Sequence, residues 1–212
     1  MNSLYLCNMI KNLLFDLGGV IMEIRRLNAV HSLERLGMTD ADSFLGEYSQ
    51  KGPFLKLEEG AITPDEFRKE IRKLIKTEVS DAQIDSAFCD FLIGIPPKRL
   101  EYLRVLKKNY NIYMLSNTNP IMWNTRIAEE FRQEGHDINY YFDGIITSFE
   151  AKSIKPDRKI FETVVSKLGI IPEETLFLDD SQKNLDTASS MGFKTALVTP
   201  GSEFIDIISS CE

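Results

Sequence analysis

The chain has 212 residues, 43% of them hydrophobic, which suffices to bury a sizeable core and excludes a disordered or fibrous protein. Its 25 basic and 32 acidic residues leave a net charge of -7, an argument against a broad nucleic-acid or anionic-membrane surface. Cys7, Cys89 and Cys211 are widely spaced, with no C-x-x-C pair and no histidine at zinc spacing, so a reducing compartment is expected.

The opening MNSLYLCNMIKN lacks the basic leader and apolar run of a signal peptide, and no stretch approaches the roughly 20 apolar residues of a membrane helix. A cytoplasmic location without a membrane partner is the expectation. The first informative stretch is LLFDLGGVI, Leu13 to Ile21, where an apolar run ends at Phe15 and is followed by Asp16, then Gly18 and Gly19. A run so continuously apolar suits a strand covered on both faces.

From Met22 to Pro96 the signals are helical and no strand is convincing. TPDEFRKEIRKLIK offers Thr63 as N-cap, Pro64 at the first helical position, and Phe67, Ile71, Leu74 and Ile75 on one stripe. Gly60 reads as a stop for the helix before it, and Ser80 starts SDAQIDSAFCDFL in the same manner as Thr63. The segment reads as a small helical bundle, with IPPKR as the return hinge.

Beyond the hinge, helical and apolar segments alternate. PKRLEYLRVLKKN places Leu100, Leu103 and Leu106 at helical steps, and IYML then runs up to Ser116 and Asn117. GIIT runs up to Ser148, RKIFETVVSKLGI closes on Gly169 as a helix C-terminal glycine, TLFL runs up to Asp179 and Asp180, and KTALV forms a last strand. Strand and helix in alternation imply right-handed crossovers, hence an α/β, doubly wound parallel sheet. The expected division is a core of residues 1–21 and 97–212 with a helical insertion of residues 22–96.

Ligands of such sheets bind beyond the carboxyl ends of the strands, which would bring Asp16, Ser116, Ser148, Asp179 and Asp180 towards one crevice. Asp16 could attack phosphorus and form an aspartyl-phosphate, splitting one hard hydrolysis into two easier steps. Clustered carboxylates beside a phosphate need cations, and hard oxygen ligands with a phosphate suit Mg²⁺. Lys155 is the natural second cation, set by Pro156 on an extended backbone before a helix starts. The Ser116 hydroxyl and Asn117 N–H could hold a phosphate oxygen, and Gly18 and Gly19 allow close backbone approach.

FDLGGVI, MLSNTN, the KPD of Lys155 to Asp157, and LFLDDSQKN stand in the order and rough spacing of the haloacid dehalogenase-like hydrolase superfamily, which the chain resembles over nearly its whole length. The insertion after the first motif resembles its alpha-helical cap subclass. The resemblance implies Asp16 as nucleophile, and Gly18 as the position whose backbone carbonyl reaches the metal. It further implies Ser116 and Asn117 at the phosphate, Lys155 as the charge-neutralising lysine, and Asp179 with Asp180 as Mg²⁺ ligands. Members of this kind usually hydrolyse small phosphate esters, so a small phosphorylated metabolite is the implied partner.

One departure stands out. Phosphatases of the superfamily usually carry a second aspartate at the position of Gly18, which protonates the leaving oxygen and then activates water. General acid-base help is typically worth about 10²–10⁴-fold, so either the leaving group is good, as in a sugar-1-phosphate, or another group substitutes. The D-L-G-x-V form also looks like that of a bacterial subgroup containing an α-glucose-1-phosphate phosphatase. Glu23 and Glu150 are the weighed stand-ins. Arg25 and Arg26 read as a solvated face, Asn184 as either a supporter of the acid pair or a helix-surface residue. Dehalogenation of 2-haloacids, mutase activity and non-catalytic phosphate binding on the same fold are the competing functions. Nothing in the sequence speaks to oligomeric state.

Overall fold

The computed structural model describes residues 10–46 and 52–210. Cys7 and Cys211 lie outside the described residues, and Cys89 is a half-buried free thiol. The chain opens with strand β1 (Asn12–Phe15) and continues through β2 (Glu23–Ile24), five helices and β3 (Leu92–Gly94). The helices are α1 (Arg26–Arg35), α2 (Ala41–Phe44), α3 (Gly52–Glu58), α4 (Pro64–Leu74) and α5 (Asp81–Cys89). Next come α6 (Pro97–Leu106), β4 (Asn111–Ser116), α7 (Pro120–Met122), a π turn at Trp123–Ile127, α8 (Ala128–Glu130) and α9 (Ile138–Tyr141). The chain ends with β5 (Gly144–Thr147), α10 (Ser148–Ala151), α11 (Arg158–Leu168), β6 (Thr175–Asp179), α12 (Gln182–Ser190), β7 (Lys194–Leu197) and α13 (Phe204–Ser210).

Five strands form one parallel sheet in the order β5-β4-β1-β6-β7. β1 is buried along its length because its side chains serve two cores in alternation. Leu13 and Phe15 face the core that holds Leu100 and Leu103 of α6 and Phe204 of α13, while Leu14 faces Phe161 of α11 and Leu185 of α12. Helices thus cover both faces, which accounts for the unbroken apolar runs read in the sequence.

The stop and start signals operate as expected. Thr63 and Ser80 each form a reciprocal capping box, with Glu66 and Gln83, so orphan N–H groups at the helix starts are satisfied. Gly60 and Gly169 adopt φ of 62° and 65°, the left-handed region that a side chain disfavours.

Three expectations need correction. The inserted segment does contain strands: β2 and β3 pair antiparallel where the segment leaves and rejoins the sheet domain. At two and three residues they are too short to carry a periodic pattern. Leu74 is 45% exposed, because α4 ends there and the chain extends at Ile75, which bridges Met38 in the buried place instead. Pro156 does not start a helix either; α11 begins at Arg158, and the Asp157 side chain accepts a 3.1 Å hydrogen bond from the Lys159 N–H.

The inserted helices are held together by aromatic packing. Phe88 of α5 meets Phe67 of α4 edge-on at 4.7 Å and stacks on Phe54 of α3 at 5.4 Å between ring centroids. All three rings are almost fully buried. Phe88→Ala leaves a cavity between three helices and is expected to lower unfolding free energy by about 3–5 kcal/mol, whereas Thr63→Ala removes one cap and costs about 1 kcal/mol. Urea unfolding midpoints at fixed slope check both values.

Candidate active site

β1 lies where the strand order reverses, with β4 and β5 to one side and β6 and β7 to the other. The crevice at this switch point is where an open parallel sheet binds ligands. Asp16 is the first residue after β1, Ser116 the last of β4, and Asp179 the last of β6. The register of the central ladders therefore sets these groups side by side.

At the centre stands Lys155, only 4% exposed, whose Nζ lies 2.7 Å from Asp16 Oδ1 and 2.8 Å from Asp179 Oδ2. Its position is fixed through its backbone: the Asn117 side chain accepts from the Lys155 N–H at 2.9 Å and donates to the Lys155 carbonyl at 3.0 Å. Asn117 thus has a task for its side chain that the sequence reading, which used only its backbone, did not assign. The Phe177 ring also lies beneath the ammonium, 5.6 Å from its centroid. Burial works to lower the Lys155 pKa, but Asp16 and Asp179 outweigh it and hold the group charged, above its ordinary value.

Asp16 Oδ1 also accepts from the Leu17 N–H at 2.7 Å, whereas Oδ2 has no hydrogen bond among the described residues. Asp179 is fully buried, and its Oδ1 accepts from the Ser181 N–H at 2.8 Å and from Asn184 Nδ2 at 2.9 Å. Asn184 is accordingly a buried orienting residue, while Asp186 is exposed and accepts from Gln182. Ser116 is buried at the β4 end, its hydroxyl making a 3.5 Å contact with the Asn117 carbonyl. Ser148 serves the next loop: its hydroxyl donates to the Thr118 carbonyl and accepts the Thr118 N–H, at 2.9 and 3.0 Å.

Asp16, Asp179 and Asp180 bring carboxylate oxygens within 4.8 Å of one another. Burial, with the charges of Asp179 and Asp180, raises the Asp16 pKa to about 7 even though Lys155 opposes the shift. Burial and Asp179 raise Asp180 as well. Three acids beside one ammonium are short of positive charge, and an all-oxygen donor set of this kind fits a hard divalent cation such as Mg²⁺.

The two glycines have different tasks. Gly19 has φ of 77°, and a Cβ there would collide with the Asp180 carboxylate, so its bareness makes room for the acid cluster as well as for a phosphate. At Gly18 a Cβ would meet only Ile24 side-chain carbons at 3.5 Å, an ordinary contact. A Cβ at position 18 therefore meets no clash.

Neither weighed stand-in acid occupies the crevice centre. Glu23 is exposed in a cleft at the β2–β3 hinge beside Gly94 and Arg126, and Glu150 is exposed and accepts from the Thr147 hydroxyl at 2.7 Å. Arg26 is tied to Asp42 at 2.7 Å and Arg25 is exposed. His31 and His136 are exposed, the latter stacked on Tyr140. The acid that sequence reasoning missed is Glu58, at the end of α3 and 8% exposed. The available signal was its spacing: Phe54, Leu57 and Glu58 fall on one helical stripe, so an inward acid was legible.

The family model for haloacid dehalogenase-like hydrolases matches residues 10–192. D-ribitol-5-phosphate phosphatase of Bacteroides thetaiotaomicron is 39% identical over 88% of this chain and 91% of its own length. A haloacid dehalogenase family enzyme from the same organism, solved with magnesium and inorganic phosphate, superposes with a TM-score of 0.88 at 37% identity, covering 93% of this chain and 98% of that one. A predicted family hydrolase from Porphyromonas gingivalis gives 0.88 at 33% identity over 95% and 97% of the two chains. A family match over most of the chain, a relative of this identity and the crevice geometry agree: the chain belongs to the haloacid dehalogenase-like hydrolases.

Proposed function

We propose that this protein is a Mg²⁺-dependent phosphatase of small phosphorylated metabolites, with Asp16 as the nucleophile. The observation that carries the reading is the Lys155 ammonium bridging Asp16 and Asp179 in a buried crevice, with Asp180 completing an oxygen cluster. Asp16 Oδ2 attacks phosphorus, the bond from phosphorus to the alcohol oxygen breaks, and water then cleaves the aspartyl-phosphate. Lys155 holds Asp16 in place and offsets charge on the incoming phosphate. Ser116, Asn117, Gly18 and Gly19 form the phosphate cradle. Asp16, Asp179, Asp180 and the Gly18 carbonyl are the residues to hold Mg²⁺, which supplies the positive charge this acidic cluster needs before it can accept a phosphate dianion.

Residues 22–96 act as a cap over a core of residues 1–21 and 97–212, and substrate choice lies in that cap. The name of the B. thetaiotaomicron relative, D-ribitol-5-phosphate phosphatase, favours a phosphorylated sugar or sugar alcohol. A sugar-1-phosphate belongs in the same panel, since its leaving group eases the demand for an acid. Dehalogenation would leave the pairing of Asp179 with Asp180 unnecessary, because attack on carbon needs no cation. No helix among the described residues is long and apolar enough to cross a membrane, and a cytoplasmic enzyme is the reading we adopt.

Phosphate release from a panel of sugar and sugar-alcohol phosphates is expected to require Mg²⁺ and to stop with chelator. Asp16→Asn should lose about 10³-fold or more in kcat; wild-type rates in that variant would overturn the nucleophile assignment. Asn184→Ala leaves Asp179 without one of its orienting bonds and is expected to weaken Mg²⁺ affinity about 10–100-fold, read as the Mg²⁺ concentration giving half-maximal rate.

A further inference from the structure

We propose that Glu58, brought in by the inserted segment, is the general acid and base that position 18 lacks. The proposal rests on the phosphatase reading above and assigns the proton that reading leaves without a donor. A phosphorylated primary alcohol, such as the substrate named for the B. thetaiotaomicron relative, leaves as a strongly basic alkoxide and needs that proton.

Three observations place Glu58 in this role. First, it lies one helical turn beyond Phe54 on the inward face of α3, and its carboxyl has no hydrogen bond or ion pair among the described residues. Burial of a carboxyl without a partner is unfavourable unless it is protonated or meets a ligand. Second, the chain just past it is pinned to the core. α3 packs on α10, which begins at the carboxyl end of β5. Lys152 Nζ donates to the Gly60 carbonyl at 2.6 Å, and Gly60 lies so close to the Phe149 carbonyl that a Cβ would overlap it. Third, Glu58 is near enough to Lys155 to feel its charge, and Lys155 Nζ is 2.7 Å from Asp16. The acid is therefore presented on the lysine side of the crevice by a contact between segments about ninety residues apart.

Burial pushes the Glu58 pKa up to about 8, with Lys155 opposing the shift and Glu59 adding to it, so the carboxyl holds a proton at neutral pH. As Asp16 attacks and the bond from phosphorus to the alcohol oxygen breaks, Glu58 gives that proton to the oxygen and is left ionised. In the second step the carboxylate takes a proton from the water that attacks phosphorus. The Asp16 carboxylate departs, inorganic phosphate is released, and Glu58 is protonated again.

The test compares Glu58→Gln with wild type on D-ribitol 5-phosphate and on p-nitrophenyl phosphate, whose nitrophenolate leaves without protonation. Turnover of the sugar-alcohol ester should fall about 10²–10⁴-fold. With the nitrophenyl ester the variant should release one nitrophenolate per enzyme in a burst and then stall, and intact-protein mass should show the phosphorylated enzyme. Gly18→Asp added to Glu58→Gln should restore turnover, since a Cβ at position 18 meets only an ordinary contact. Turnover of the sugar-alcohol ester within a few-fold of wild type would overturn the proposal. A slowed variant with an unchanged melting temperature, no phosphoenzyme and no rescue by Gly18→Asp would overturn it too, assigning Glu58 to binding alone. Should Glu58→Gln not fold, a large gain in turnover from Gly18→Asp alone would count against Glu58 as the acid. Failure of the phosphatase reading looks different: wild type would release phosphate from neither ester.

Discussion

The site depends on one buried ammonium. Lys155 sits between Asp16 and Asp179 at 2.7 and 2.8 Å, and without it the adjoining β1 and β6 strands would end on two uncompensated carboxylates. A buried ion pair of this sort is weak evidence for stability, because desolvation of both partners offsets most of the attraction. Its value here is placement. The Asn117 side chain grips the lysine backbone from the end of β4, so three strand ends and one loop are locked to a common point.

The crevice remains short of positive charge after that pairing, and this imbalance links geometry to chemistry. Three carboxylates face one ammonium, and burial with the charges of Asp179 and Asp180 raises the Asp16 pKa above the ordinary carboxylate value against the pull of Lys155. A nucleophile must be ionised to attack. On the proposed reading, a divalent cation held by these acids would favour the ionised form of Asp16 and offset the charge of a phosphate. Gly19 belongs to the same balance, since only a residue without a side chain leaves Asp180 its place.

Phe54, Phe67 and Phe88 pack on one another among the inserted helices, within the same buried apolar cluster that holds Leu13 and Phe15 of the sheet. The contact of Gly60 with Phe149 and Lys152 ties α3 to the chain leaving β5, and brings Glu58 with it.

Taken alone, the sequence determined the parallel α/β sheet, several of the positions where helices start and stop, and the candidate reacting groups. Those features are local: apolar runs covered on both faces, caps such as Thr63 and Gly169, and acids placed directly after strands are each written in a few consecutive residues. Only the tertiary structure decided how the groups serve one another. The Asn117 grip on Lys155, the Asn184 bond to Asp179, the room Gly19 leaves for Asp180 and the approach of Glu58 to Lys155 all join residues from separate elements. The short β2–β3 ribbon and the exposure of Leu74 were hidden for the same reason, since strand pairing and helix exit depend on a partner elsewhere in the chain. A spacing rule sees neighbours along the chain, and the chemistry of this crevice is made by neighbours across the sheet and across the join to the inserted segment.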